Sequence, residues 1–281
     1  MSAALIWEAR QRFHAALLES VLKAHKGVPG NADKHSPTSV KLAKGILDRL
    51  GDPLSGLRLA GQKSGLKFEE VCADFVRDTF SLLRTLRPGR WEIKRGGAEI
   101  SAFDQYEHLA QLDLLARENP VLATILGSDY LITPDVLIVR EPELDLTINS
   151  PKTLVDDAHS RLTSLRESNG GGRILHASIS CKWTLRSDRA QNARSEALNL
   201  VRNRKGRLPH VVVITGEPTP TRVASIALGT GDIDCVYHFA LNELEETVKE
   251  LRMDDQEELL TAMIKGKRLR DISDLPLDLV I

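Results

Sequence analysis

The 281-residue chain carries 38 Lys and Arg against 39 Asp and Glu, a formal charge of −1 at pH 7, and 42% of its residues are hydrophobic. That is apolar material for a substantial core, and 1–281 is expected to fold as one α/β domain with helical additions. Cys72, Cys181 and Cys235 stand far apart with no CxxC pair, which excludes a disulfide framework and a cysteine zinc site. The N-terminus alternates apolar and charged residues, and no apolar run is long enough to span a bilayer, so a soluble cytoplasmic protein is expected, with no membrane partner.

In chain order, Leu5, Phe13, Leu17, Leu18, Val21 and Leu22 recur at helical spacing and predict an amphipathic helix over 3–25. A loop rich in Gly, Pro and Asn at 27–37 leads to a shorter helix from Thr38 to Leu50, and a second loop covers 51–65. Ser64 is placed to cap a long helix over 64–87 that ends at Arg87-Pro88-Gly89. Trp91 to Lys94 is a short strand, and Gln105 to Arg117 a helix stopped near Pro120. The period then changes. A strand over 133–140 is entered through Pro134, and the alternating segment 144–148 is expected to pair with it across a short Glu-Pro connection. The strand Ile174 to Trp183 should place His176, Ser178, Ser180 and Lys182 on one face and Ala177, Ile179, Cys181 and Trp183 on the other. A helix over 187–205, a strand from His210 to Thr215, a segment at 221–228, a strand from Asp234 to Ala240 and helices near 242–252 and 254–264 follow. This succession predicts a central sheet with helices on its faces.

Charge is distributed unevenly. From Lys182 to Arg207 eight cations face only Asp188 and Glu196, a local excess of +6, whereas residues 241–281 hold eleven acids and six bases. Such a patch suits a polyanionic partner, although charge runs are more often solvated faces.

Asp135, at the start of one strand, and Lys182, at the end of another, are the first candidates for chemistry. Metal-dependent phosphodiester hydrolysis needs a carboxylate for a hard cation and a positive group beside the scissile phosphate. The nuclease pattern PD…(D/E)XK asks for an acid two residues before the lysine, where this chain has Ser180. Glu196, fourteen residues after Lys182 on the next helix, is placed to fold back toward the strand end, because a helix rises more slowly per residue than a strand. Glu69, near the start of the long helix, either joins the same cluster or favours the helix dipole. Taken singly, each has an ordinary alternative as turn residue, solvated lysine or helix-surface acid. Ser180 lacks the base and oxyanion loop of a serine nucleophile. The cluster Arg186-Ser187-Asp188-Arg189 matches a major-groove code for G·C pairs, with a capped helix start and a local salt bridge as the alternative. The glycine-rich stretches at 169–172 and 229–232 lack the GK(S/T) ending of a phosphate-binding loop.

The segment SISCKWTLRSDRAQNARSEALNLVRNRKGRLPHVVV, with GSDYLITPDV before it and SIALGTGDIDCVYHFALNELE after it, resembles the CCGG-core family of type II restriction endonucleases. GNADK at 30–34, GQKSGLKFEEVCADFV at 61–76 and the C-terminal GKRLRDISDLPLDLVI extend the resemblance over nearly the whole chain; 87–125 and 141–172 are its least similar parts. It implies a PD-(D/E)XK restriction-endonuclease-like core, a mixed central β-sheet flanked by α-helices, with the second acid displaced to the following helix. By that resemblance Asp135, Glu196 and Glu69 are metal ligands for two Mg²⁺ ions, Lys182 is the catalytic lysine, and Ser180 occupies the displaced acid's place. Arg186, Asp188 and Arg189 would read the central CCGG, Asp33 and Arg222 the outer G·C pair, and Gln62 the minor groove. The implied activity is cleavage of double-stranded DNA at GCCGGC after the first G, leaving a 5′ CCGG overhang. The implied assembly is a homotetramer of two dimers, with a companion cytosine methyltransferase in the host. A structure-specific repair or recombination nuclease on the same core, and a DNA-binding protein without activity, are the rival readings.

Overall fold

The computed structural model describes residues 3–51, 61–127, 130–229 and 231–281. It opens with α1 (Leu5–Ser20), a two-residue hairpin of β1 (Ala24–His25) and β2 (Val28–Pro29), and α2 (Pro37–Leu50). Ser36 caps α2 by accepting the Ser39 N–H, and Pro37 occupies its first turn, where a missing N–H costs nothing. Then come α3 (Gly61–Ser81), β3 (Trp91–Arg95), α4 (His108–Glu118), α5 (Pro120–Leu126) and β4 (Val136–Arg140). The second half runs α6 (Asp145–Ile148), β5 (Ile174–Lys182), α7 (Ser187–Asn203), β6 (His210–Thr215), α8 (Pro220–Ala227) and β7 (Cys235–His238). It ends with α9 (Leu241–Glu250), α10 (Asp254–Lys265), β8 (Leu269–Asp271) and α11 (Leu275–Asp278).

Six strands form one mixed sheet in the order β3-β4-β5-β6-β7-β8, antiparallel as far as β5 and parallel from β5 to β8. β4, β5, β6 and β7 are buried nearly throughout, as their Val- and Ile-rich runs require. α3 packs across β3, β4 and β5, α7 against β6, α8 against β7 and α9 against β8, so the mixed α/β architecture with flanking helices is as expected. α2 approaches α9 so closely that a Cβ on Gly45 would lie 2.3 Å from Thr247. α1 is tied to the far side of the sheet by buried Arg10, which donates from Nε to Asp271 at 2.8 Å and from a terminal nitrogen to Glu243 at 2.6 Å.

Several expectations are corrected. Segment 144–148 is no strand but the single turn α6, and β4 pairs instead with β3 and β5. Five alternating residues also fit one helical turn, and here Asn149 closes it by donating to the Asp145 carbonyl. Pro120 begins α5 rather than only ending α4, because the Asn119 side chain accepts from Val121 and Leu122 N–H. The long helix starts at Gly61, so Ser64 is a buried interior residue and not its cap, and Glu69 stands in the third turn. It ends at Ser81, short of the expected 87. His176 leaves the face of Lys182: Ile138 pairs with Ala177 but Val139 with Leu175, a bulge that makes His176 the extra residue. Its ring lies 6.2 Å from Phe80 on α3, the helix that also carries the Phe68 partner of Trp183. Segment 221–228 lies in α8 as far as Ala227, with Leu228 just past its end, and β8 and α11 were not foreseen. Most of the loop read at 51–65 lies outside the described residues, as does position 230 of the stretch 229–232.

Candidate active site and recognition cleft

β4 begins where antiparallel β5 ends, so Asp135, one residue before β4, meets the end of β5. Asp135 Oδ2 accepts three donors there: the Cys181 N–H at 2.7 Å, Lys182 Nζ at 3.1 Å and Ser180 Oγ at 3.5 Å. The backbone donor holds the carboxylate in place and leaves the lysine free to exchange partners. The Lys182 carbonyl is held as well, by Thr215 Oγ at 2.9 Å and the Gly216 N–H at 3.1 Å. A Cβ at Gly216 would lie 2.4 Å from the Trp183 ring, so only glycine allows this close passage.

Glu196 on α7 and Glu69 on α3 border the same centre. Burial raises the Glu196 carboxyl above its ordinary value; Lys182 opposes the shift and Asp135 adds to it. Burial and then Asp135 likewise raise Glu69, against Lys182 and Arg95. For Lys182, burial disfavours the charge, but Asp135, Glu196 and the hydrogen bond to Asp135 together outweigh it, and its pKa is raised. Glu196 therefore lies within the field of Lys182 and Asp135 at the strand end. Among the described residues no three His, Cys, Asp or Glu side chains close into a ready metal cage. Lys182 is instead the cation whose field reaches all three carboxylates. Carboxylate oxygens grouped at a strand end are the ligand type that suits a hard divalent cation.

Beside this centre lies a cleft of about 540 Å³, lined by Asp33, His35, Thr184, Arg186, Arg189 and Arg222 among others. Arg186 is the residue before the first turn of α7 and is exposed, as are Asp188 and the Gln62 side chain on the first turn of α3. Among the described residues Arg186 and Asp188 form no ion pair, so the local salt bridge weighed above is not made. Arg189 donates to Thr184 Oγ at 2.8 Å. Asp33 and Arg222 join each other at 2.5 Å; the hydrogen bond from Arg222 lowers the Asp33 pKa, and the same bond raises that of Arg222. Four of the six expected recognition residues thus share one cleft, with Gln62 next to its wall residue Gly61.

Two residues of this region escaped sequence reading. Asn31 is buried and donates to the Gly216 carbonyl at 2.8 Å. Glu217 is fully buried and accepts the Leu185 N–H at 2.9 Å. Asn31 reads only as part of a loop rich in Gly, Pro and Asn, and Glu217, a lone polar residue after the apolar strand β6, reads as a turn.

A strand-end Asp and Lys with two flanking acids lie next to an arginine-lined cleft on a mixed sheet, and the class to which the chain belongs is that of type II restriction enzymes, which are site-specific nucleases. The sequence model described as NgoMIV restriction enzyme matches residues 13–281, and the chain belongs to that family. At the level of individual relatives it is 53% identical over 283 residues to "Type II restriction enzyme NgoMIV" of Neisseria gonorrhoeae, covering 99% of each chain.

Proposed function

We propose that this enzyme cleaves double-stranded DNA at the palindrome GCCGGC, after the first G, in a reaction that requires Mg²⁺. The observation that carries the chemistry is the meeting of the Cys181 N–H and Lys182 Nζ on Asp135 Oδ2, with Glu196 and Glu69 inside the same field. Asp135, Glu196 and Glu69 would hold the metal, two ions per centre, and Ser180 stands where the second acid is otherwise found. The bound cation supplies neutralisation of the charge that builds on the phosphate. In the free protein Lys182 Nζ rests on Asp135 Oδ2; against the effect of burial, Asp135 and Glu196 raise its pKa and keep it protonated at neutral pH, as a cation that would face the scissile phosphate. Arg186, Asp188 and Arg189 are the readers of the central CCGG, Asp33 and Arg222 of the outer pair, and Gln62 contacts the minor groove. The arginine-lined cleft beside the carboxylates supports this division between reading and cutting. A palindromic target calls for a two-fold assembly, and a homotetramer of two dimers is the form proposed, with residues 1–281 acting as one domain in the cytoplasm and a companion cytosine methyltransferase protecting host DNA.

Digestion of plasmids of known sequence in Mg²⁺ tests the reading. Discrete fragments whose number follows the count of GCCGGC sites are expected. Cutting confined to branched substrates, or binding without cleavage, overturns it.

A further inference from the structure

The stretch leaving β6 does more than end a strand. Thr215 and Gly216 hold the carbonyl of Lys182, and the Gly216 carbonyl accepts the Asn31 side chain two residues before Asp33. Glu217 follows, with none of its surface exposed. One carboxylate oxygen accepts the Leu185 N–H at 2.9 Å; the other accepts the Thr219 N–H at 3.3 Å and lies 3.8 Å from an Arg222 nitrogen. Its backbone carbonyl is bound in turn by His238 Nε2 at 3.1 Å. A buried carboxylate is expensive, and the sheet end would be filled at lower cost by an apolar or amide side chain. What the carboxylate adds is a pair of acceptors aimed at two different segments: the turn between Lys182 and Arg186, and the start of α8.

We propose that Glu217 is a positioning residue for recognition: its carboxylate sets the turn that leads to Arg186 and the α7 start bearing Arg189, and the helix bearing Arg222, in one register, and so ties base reading at both places to the catalytic lysine. The inference rests on the reading that these arginines contact bases. Leu185 immediately precedes Arg186, so a shift of its amide moves the arginine directly. Arg222 is held from two sides, by Asp33 in the cleft and Glu217 beneath it. Displacement of a recognition group by about an ångström costs on the order of 100-fold in rate.

The test uses Glu217→Gln, which keeps the volume but turns one acceptor into a donor and removes the charge facing Arg222. Glu217→Asp, shorter by one methylene with the charge kept, serves if the amide variant does not fold. Wild type and variants are assayed by kcat/KM on the duplex that the wild type cuts, and on duplexes altered at the inner or outer pairs. Hydrogen exchange at the Leu185 amide is followed in the free protein. The expected result is a roughly ten- to hundred-fold fall on the cognate duplex, narrowed discrimination at the outer pair, faster Leu185 exchange, and little additional loss when Glu217→Gln is combined with Arg222→Ala. Wild-type ratios on all duplexes, a uniform loss with Leu185 still protected, or full additivity with Arg222→Ala overturns the proposal. If Arg222→Ala alone leaves outer-pair discrimination intact, the reading of Arg222 fails, while Leu185 exchange and inner-pair discrimination still decide the role of Glu217.

Discussion

Lys182 and Asp135 face each other at 3.1 Å, and under the proposed function Asp135 would hold the cation while Lys182 faces the phosphate. Lys182→Ala and Asp135→Ala are therefore expected to lower the cleavage rate by about 10²- to 10³-fold or more, with specific DNA binding retained in Ca²⁺. Full activity of either variant in a steady-state cleavage assay contradicts the assignment. Glu196→Gln should weaken divalent-cation binding by calorimetry as well as slow cleavage, because it replaces an anionic oxygen ligand of the proposed site by a neutral amide. Arg189 makes a different case, since its bond to Thr184 gives it a structural use in the free protein. If it reads a base, Arg189→Ala costs about 1–3 kcal/mol of discrimination at one position, seen as relaxed cutting of duplexes altered there. A variant that weakens all duplexes equally shows that the Thr184 contact is its whole role.

At the scale of elements, the Arg10 network joins α1, α9 and β8 through a buried carboxylate, Asp271, and a half-buried one, Glu243. Burial would raise the Asp271 and Glu243 pKa values, but the hydrogen bonds from Arg10 outweigh it and both are lowered. Arg10→Leu takes from both acids their only ion-pair partner among the described residues, leaving Asp271 the Ser273 and Leu241 donors, and is expected to cost about 3–5 kcal/mol in denaturant unfolding; a loss below about 1 kcal/mol would place the network among merely solvated pairs. None of this was legible in the sequence, where Arg10 is one charge of an amphipathic helix and Asp271 lies 261 positions away. What was legible were elements with strong local signals: the apolar run of β6, the β-branched β4 and the helical spacing of α3. Failures fell where a local signal has two meanings. Pro120 ends one helix by starting another, and the alternation of 144–148 serves one turn of α6. The bulge at His176 is set by pairing with β4, which a single strand does not announce.

The whole molecule puts its chemistry on one end of the sheet and its acid sensitivity in the core. His238 donates from Nε2 to the Glu217 carbonyl and accepts the Ala240 N–H at Nδ1, so it is held neutral, and burial pushes its pKa down to about 4; burial pushes His176 to about 3. The unfolded chain takes up these protons near the ordinary value of 6.5, before the folded one does. Stability is thus complete above that pH and falls as pH drops toward 4, by up to about 1.4 kcal/mol per pH unit for each titrating histidine. Denaturant unfolding across that range should show the slope, and His238→Gln should reduce it; an unchanged slope removes His238 from the account. The site was legible at the same scale in a particular way. Glu196 came back to Lys182 as helix and strand rise require, whereas Glu217 and Asn31, which hold the parts in place, act through backbone contacts that no residue pattern encodes. The most direct measurement sequences both ends of a duplex bearing a single GCCGGC after incubation with the enzyme and Mg²⁺. Cuts after the first G on each strand, leaving 5′-phosphorylated CCGG overhangs, are the predicted result; blunt ends, ends at another sequence, or cutting that survives Lys182→Ala contradict it.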